Sequence, residues 1–393
     1  MTGQARSALL SAELVAKLAA AGTLDDTWRP VFEAVPRQLF VPDTIWRLDP
    51  DAGGRLVPLH RAEDPDRWLA LVYRDRPVDT QVDDGHPAAD GTGWEVTSSA
   101  SQPTVVADML RALDPAPGMR VLEIGTGTGW NAALLAARVG AENVVSVEVD
   151  AVVAERARAA LDAAGYGQVT VVTGDGADGC PDRAPFDRVL ATVGVSEVPY
   201  SWVAQTRSGG RVVVPLSNTY QAPGIAVLDV AGGVASGYLG APAVFMGLRA
   251  QRVPRPRGVR PGGGAAEDVS STEVHPYCWA GDRAAATAIG QRVEGVHAHF
   301  EAATADTGTQ WLFDPVTDSW ASVDLDGGPP PYRVEQGGPR RVFDEVIAAY
   351  RWWLDAGSPP LSQWLVTVST NGQSMTLNAT STLRAISAAG MAS

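Results

Sequence analysis

At 393 residues, 45% hydrophobic and a formal net charge of −14, the chain is long enough for one large α/β domain with an addition or for two domains, and two are expected. The acidity excludes general nucleic-acid binding, which needs a concentrated basic surface. No apolar run approaches the ~20 residues that cross a bilayer, and no basic stretch leads into an apolar core and cleavage site at the N-terminus, so no membrane partner and a cytoplasmic location are expected.

Residues 8 to 21 read as a helix, with Leu9, Leu10, Leu14, Val15 and Leu18 at helical spacing, and 28 to 39 add a second helical stretch. Residues 1–95 are therefore expected to form an N-terminal helical cap and substrate loop, followed by a core over 96–248. Within the core, Val121-Leu-Glu-Ile124 is an apolar strand that ends in Gly125-Thr126-Gly127-Thr128-Gly129. Glycines there admit a ligand close to the backbone, and the helix that follows presents unpaired N–H groups. A dinucleotide turn would carry its third glycine where Trp130 stands, so the pattern favours S-adenosylmethionine over NAD. Strand-like VVSVEV, VTVV, RVLATV and RVVVPL alternate with helical Asn131 to Val139 and Val152 to Ala164, the signature of a doubly wound parallel sheet in a Rossmann-like α/β fold. Its ligand belongs beyond the carboxyl ends of the strands.

Glu148 stands 19 residues past Gly129 at the end of the second strand, where an acid can accept from both ribose hydroxyls of a nucleoside. Val149 follows it. Asp175 and Gly176, in Gly174-Asp175-Gly176 after the third strand, suit the adenine amino group. Glu123 reads either as favouring the charge of the methionine end or as a structural carboxylate inside the turn.

After Arg249 the composition turns to Pro, Gly and Arg, read as a linker over 249–270, with arginines at 249, 252, 255, 257 and 260. They fit either an exposed linker or contacts with an acidic peptide, Arg252 and Arg255 being named for the latter. An α+β domain over 271–393 is expected next. It comprises a helix at 282 to 303, strands around Trp311 and Trp320 joined by Asp314 to Asp318, and a helix bearing Phe343, Val346, Ile347, Tyr350, Trp353 and Leu354 on one face. That helix is ended by Gly357 and Pro359, and a hairpin turns at Asn371-Gly372. Its six tryptophans either line a peptide groove or form core. His297 and His299, two apart on the expected helix, point to different sides, and no metal is expected. Cys180 and Cys278 lack metal spacing and are expected to be reduced thiols.

Five ordered motifs make residues 94 to 216 resemble the protein-L-isoaspartyl O-methyltransferase family. They are Ser99-Ala-Ser101-Gln102-Pro103, LEIGTGTGW, GDG, Ala184-Pro-Phe-Asp187 and Gly209-Gly-Arg211 with VVVP. Upstream, Val35-Pro-Arg37-Gln-Leu-Phe40-Val-Pro42 and Tyr73-Arg-Asp75 extend the resemblance to about residues 25 to 220. It implies methyl transfer from S-adenosylmethionine to a carboxylate of an aspartate-derived residue, with Ser101 as the hydroxyl beside the acceptor and Ser99, Gln102, Pro103 and Asp75 at the substrate. A carboxylate of pKa near ~4 is ionised at neutral pH and needs no general base. Ser101 also reads as the N-cap of the helix holding Val105 and Met109, and the two roles are compatible.

Two departures stand out: the long acidic stretch from Val82 to Glu95, and the continuation of about 170 residues past the resemblance. The chain resembles an extended branch that accompanies ribosomally made peptides of the graspetide and lanthipeptide kinds. That implies a cyclised ribosomal precursor peptide as partner, methylated on aspartate and closing to an aspartimide; separately, a monomer is expected. General isoaspartyl repair is the alternative.

Overall fold

The computed structural model describes residues 3–221, 223–252, 266–304 and 307–377. Helices α1 (Gly3–Ala20) and α2 (Arg29–Ala34) open the chain. Strands β1 (Thr44–Asp49) and β2 (Arg55–His60), helix α3 (Pro65–Val72), and strands β3 (Val78–Val82) and β4 (Val96–Ala100) follow. The four strands form an antiparallel sheet ordered β2-β1-β3-β4. A purely helical cap was the wrong expectation for 1–95. The strands are five or six residues long; β1 and β2 mix half-buried with exposed positions and β3 is buried at four of its five, so neither a period of 2 nor one of 3.6 stands out along them.

Helix α4 (Pro103–Leu113) leads into β5 (Val121–Ile124), α5 (Trp130–Val139), β6 (Val144–Glu148), α6 (Ala151–Ala163), β7 (Thr170–Thr173), β8 (Phe186–Ala191), α7 (Tyr200–Ala204) and β9 (Thr206–Leu216). These five strands pair in parallel in the order β7-β6-β5-β8-β9. The chain reverses its direction of travel across the sheet between β5 and β8, which places the topological switch point at the carboxyl end of β5. That is where Gly125 begins.

The sheet does not stop at its parallel half. β10 (Gly224–Ala231) and β11 (Val234–Leu239) add antiparallel strands. The chain then departs to build β12 (Asp268–Thr272), α8 (Arg283–Gly290), β13 (His297–Ala302), β14 (Gly308–Asp314), β15 (Ser319–Leu325), β16 (Tyr332–Gly337) and α9 (Val342–Asp355). Strands β12 to β16 form an antiparallel sheet ordered β12-β16-β15-β14-β13. Hairpin β17 (Trp364–Ser369) and β18 (Gly372–Leu377) then returns to pair with β11, completing a nine-stranded central sheet. The sequence boundary at 270 thus does not separate two sheets cleanly. Leu122 and Val214 of the central sheet share one apolar cluster with Trp279, Val323, Val342 and Trp364.

The expected helix over 282 to 303 is two elements. α8, capped by the Asp282 carboxylate on the N–H groups of Ala284 and Ala285, ends at Gly290, and Gly295 at φ +76° turns the chain into β13. His297 and His299 therefore share one face of a strand, and His297 stacks on Phe313 with centroids 5.0 Å apart. Trp279, Trp320, Trp353 and Trp364 are buried, so the core reading holds for these four. Leu354, assigned to the buried face of α9, is 45% exposed.

Candidate functional site

Three of the four β5 residues are apolar, and all four are buried. The turn that follows is forced by its glycines. Gly125 sits at φ +94°, and a Cβ there would lie 2.9 Å from both Thr192 Oγ1 and Val193 Cγ1. Thr192 closes this corner by donating to the Ile124 and Gly125 carbonyls at 3.1 and 2.6 Å. Gly129, at φ +86°, is the residue before α5, and a Cβ on it would press on Leu161 and Ala157 of α6 at 3.3–3.5 Å. It therefore sets helix packing and does not line the cleft.

A cleft of about 910 Å³, including space open to solvent, lies over this turn. One wall is Ile124 to Thr128, Trp130 and Asn131, with Glu148, Val149 and Gly176; the facing wall is Thr97 to Ser101; Met246 to Arg249 and Arg252 close a third side. Of the residues named from sequence, it brings together Gly125, Thr126, Gly127, Glu148, Val149, Gly176, Ser99, Ser101 and Arg252. The Glu148 carboxylate accepts from the Gly127 N–H at 2.9 Å and from the Asp150 N–H at 3.1 Å, which ties the end of β6 to the turn.

Other assignments fall elsewhere. Glu123 is fully buried beneath the turn, accepting from Asn131 Nδ2 at 2.6 Å and Ser146 Oγ at 2.5 Å, while Ser146 in turn meets Thr126 Oγ1 at 2.6 Å. Burial pushes its carboxyl up to about 7 against the opposing hydrogen bonds. It is the structural carboxylate inside the turn. Asp175 does not line the cleft; it is exposed and caps the following turn through the Ala177 N–H at 2.9 Å. Gln102 and Pro103 stand outside it, Gln102 on a neighbouring cleft and Pro103 in the first turn of α4. Arg255 lies outside the described residues.

Asp75 and Ser101 exchange the roles that local spacing suggests. The Asp75 carboxylate accepts from the Thr104 N–H at 2.9 Å and from Thr104 Oγ1 at 2.7 Å, so it caps α4 from a distance. Gln102, not Ser101, occupies the N-cap position and makes no side-chain cap bond. The Ser101 hydroxyl is thereby left available to the cleft.

Arg37 holds that wall. Fully buried, it donates to the carbonyls of Val72 at 2.7 Å, Arg74 at 3.3 Å, Arg76 at 3.2 Å, and Ala100 and Ser101 at 2.8 Å each. Desolvation lowers its pKa to about 9, against the attraction of Asp75. Sequence reading quoted Arg37 in a motif but gave it no role, because nothing local distinguishes it from a surface arginine.

A polar belt at the cleft mouth was also missed. Thr97 donates to Gln81, and Gln81 donates to Asp150 at 3.0 Å. Arg249 reaches Asp150 at 3.2 Å and Asp84 at 3.1 Å, and Arg252 pairs with Asp84 at 2.8 Å. The acidic stretch after Val82 therefore neutralises the two arginines nearest the cleft from within the chain. The one available signal was Asp150 before α6, where its carboxylate also caps Val152 and Val153.

Among the described residues no three of His, Cys, Asp and Glu converge as metal ligands, and no helix is long and apolar enough to cross a membrane. Cys180 is buried and Cys278 exposed, both free.

A family model described as protein-L-isoaspartate(D-aspartate) O-methyltransferase matches residues 66–223. A protein-L-isoaspartate O-methyltransferase 1 from Anaeromyxobacter sp. is 40% identical over 220 residues, 56% of this chain and 84% of that protein. A protein-L-isoaspartate O-methyltransferase from Thermotoga maritima is 41% identical over 150 residues, covering 38% of this chain and 44% of that one. A solved structure named protein-L-isoaspartate O-methyltransferase aligns with TM-score 0.53 and 21% identity over 94% of this chain and 99% of its own, a likeness of fold. A long body past the methyltransferase core is thus not peculiar to this chain.

Proposed function

We propose that this chain, which belongs to the protein-L-isoaspartate O-methyltransferase family, transfers a methyl group from S-adenosylmethionine to the carboxylate of an isoaspartyl residue in a peptide or protein. The single observation that carries the reading is that one cleft holds both the Gly125–Thr128 turn with Glu148 and the Ser99–Ser101 wall. Family membership supplies the chemistry, and the cleft sets the glycine turn and the Ser101 wall side by side, which supports it.

When bound, S-adenosylmethionine supplies a sulfonium methyl, an electrophile that an ionised carboxylate attacks directly. Glu148 would accept from the ribose hydroxyls, exchanging its Gly127 and Asp150 donors for them or sharing among them. The glycine turn and the N-terminus of α5 let the backbone approach without a side chain between. Ser101 would donate its hydroxyl to the acceptor carboxylate and fix one oxygen in line with the methyl. Arg37, by holding the Ala100 and Ser101 carbonyls, keeps that hydroxyl in place. Alignment of this kind lowers a barrier by roughly 7–11 kcal/mol, and no residue has to remove a proton because the acceptor is already ionised at neutral pH.

A second reading keeps the chemistry and changes the acceptor to a normal aspartate of a cyclised ribosomal peptide, whose ester the next backbone nitrogen displaces as methanol leaves. The length of the stretch from Val82 to Glu95, whose Asp84 folds back onto Arg249 and Arg252 at the cleft mouth, supports an altered acceptor; the long C-terminal body does not discriminate. Intact-mass spectrometry separates the two. The first reading expects an isoaspartyl peptide to gain one methyl. A gain followed by methanol loss on the cyclised peptide, with the isoaspartyl peptide inert, supports the second. No transfer to either, with S-adenosylmethionine bound, overturns both.

A further inference from the structure

A second cleft, of about 1190 Å³ on the same basis, is lined by Leu10, Glu13, Leu14 and Lys17 of α1 and by Tyr73, Arg74, Asp75, Arg76 and Gln102. Lys17 is the only lysine in a chain of net charge −14. No carboxylate among the described residues forms an ion pair with Lys17, Arg74 or Arg76, whereas Arg47, Arg55, Arg211, Arg249, Arg252, Arg340 and Arg341 all have one. Two acids share the cleft. Asp75 accepts from Thr104 and faces the buried Arg37, and Glu13 forms no ion pair among the described residues, so three exposed cations share the cleft with two carboxylates. The Tyr73 hydroxyl, on a residue 7% exposed, has no hydrogen-bond partner.

The arrangement is not loose. Arg37 draws the carbonyls of Arg74 and Arg76 inward, and in the bend that follows α3 both residues are exposed. The same guanidinium holds Ser101, which lines the first cleft, while Gln102 lines the second. Consecutive Cα atoms are about 3.8 Å apart, so the two clefts meet across one backbone step. An extended peptide advances about 3.3–3.6 Å per residue. A substrate whose reacting carboxylate lies at Ser101 thus reaches Arg74, Arg76 and Lys17 within a few residues.

We infer that this second cleft is a subsite for acidic residues flanking the methylated position, with Lys17, Arg74 and Arg76 as the recognising cations. The inference rests on the peptide acceptor proposed above. The subsite selects peptides whose neighbouring residues are Asp or Glu and disfavours those with Lys or Arg, and it acts on binding rather than on the transfer step.

The test uses the full chain and two hexapeptides with one isoaspartyl residue, flanked on both sides by glutamate or by glutamine. Methyl transfer from tritiated S-adenosylmethionine gives kcat/KM for each, and fluorescence anisotropy of fluorescein-labelled versions gives binding without turnover. Three partly exposed ion pairs, each weak in water, together favour the glutamate-flanked peptide by about tenfold at low salt, fading as salt rises. In the K17Q/R74Q/R76Q variant that ratio falls to within twofold of one, through KM and not kcat. These substitutions are on exposed side chains and leave the Arg37 carbonyl bonds in place. An absent preference in the wild type, or one that survives in the variant, overturns the subsite. If neither peptide is methylated, the proposed acceptor falls, and the anisotropy ratio still decides the subsite by itself.

Discussion

Replacing Glu123 with Gln tests whether a proton is stored beneath the glycine turn. Glu123 is fully buried between Asn131 and Ser146, and desolvation holds its carboxyl at about 7. In the unfolded chain the same group releases its proton near ~4.3. Between those values the native state binds more protons than the unfolded state, so stability falls as pH rises. The contribution is whole below the unfolded value and is lost as pH climbs through the folded one. Integrating the linkage from pH 5 to pH 8 gives a loss of about 2–3 kcal/mol attributable to this residue. Glutamine keeps the shape, accepts from Asn131 and donates toward Ser146, so it mimics the protonated form at every pH. Guanidinium unfolding followed by tryptophan fluorescence at pH 5, 6, 7 and 8 measures the difference. E123Q should gain on the wild type by about 2–3 kcal/mol across that range. Asp79, which burial raises to about 6, titrates in both proteins and cancels. Parallel profiles for the two proteins would refute the reasoning.

Removing the hydroxyl in Ser101→Ala should lower kcat about 10–100-fold, the worth of one hydrogen bond to a charged group, while calorimetric affinity for S-adenosylmethionine stays within twofold; unchanged turnover would remove Ser101 from the reaction. Glu148→Ala should weaken that affinity about 10–100-fold through loss of charge-assisted bonds, read by the same calorimetry, and equal affinity would deny it the ribose. Gly129→Ala should cost about 1–3 kcal/mol in urea unfolding, since alanine must adopt φ > 0 against α6. Asp75→Ala should cost about 1 kcal/mol as α4 loses its cap, whereas Ser101→Ala should cost no stability; the reverse ranking would restore Ser101 as the cap.

What was legible along the chain is what its neighbours in sequence determine. VLEIGTGTGW and the residues after it show strand, turn and helix because a buried strand, three glycines and an apolar helix are each specified within ten residues. The position of Glu148 was legible for the same reason, at the end of an apolar strand of usual length. The sheet β1 to β4 escaped because its pairings are distant: Asp79 lies opposite Ser99 and Thr44 opposite His60, and no single strand carries a clear alternation. Asp175 and Gly129, placed on the cofactor by motif, also serve locally, one as a turn cap and the other as a helix contact, functions with the same residue preferences.

Arg37 marks the limit most clearly. Its worth depends on five carbonyls from two segments, 72–76 and 100–101, converging on one side chain. A buried guanidinium without a bonded carboxylate is tolerable only where several acceptors replace water. That requirement makes the convergence rigid: shifting either segment strands a charge. The Ser101 wall and the row of Arg74 and Arg76 are therefore fixed relative to each other by one residue that touches neither ligand. Arg37→Met should consequently disturb both at once, raising KM for glutamate-flanked peptides and lowering kcat for all, whereas a role confined to stability would leave the kcat of the folded fraction unchanged.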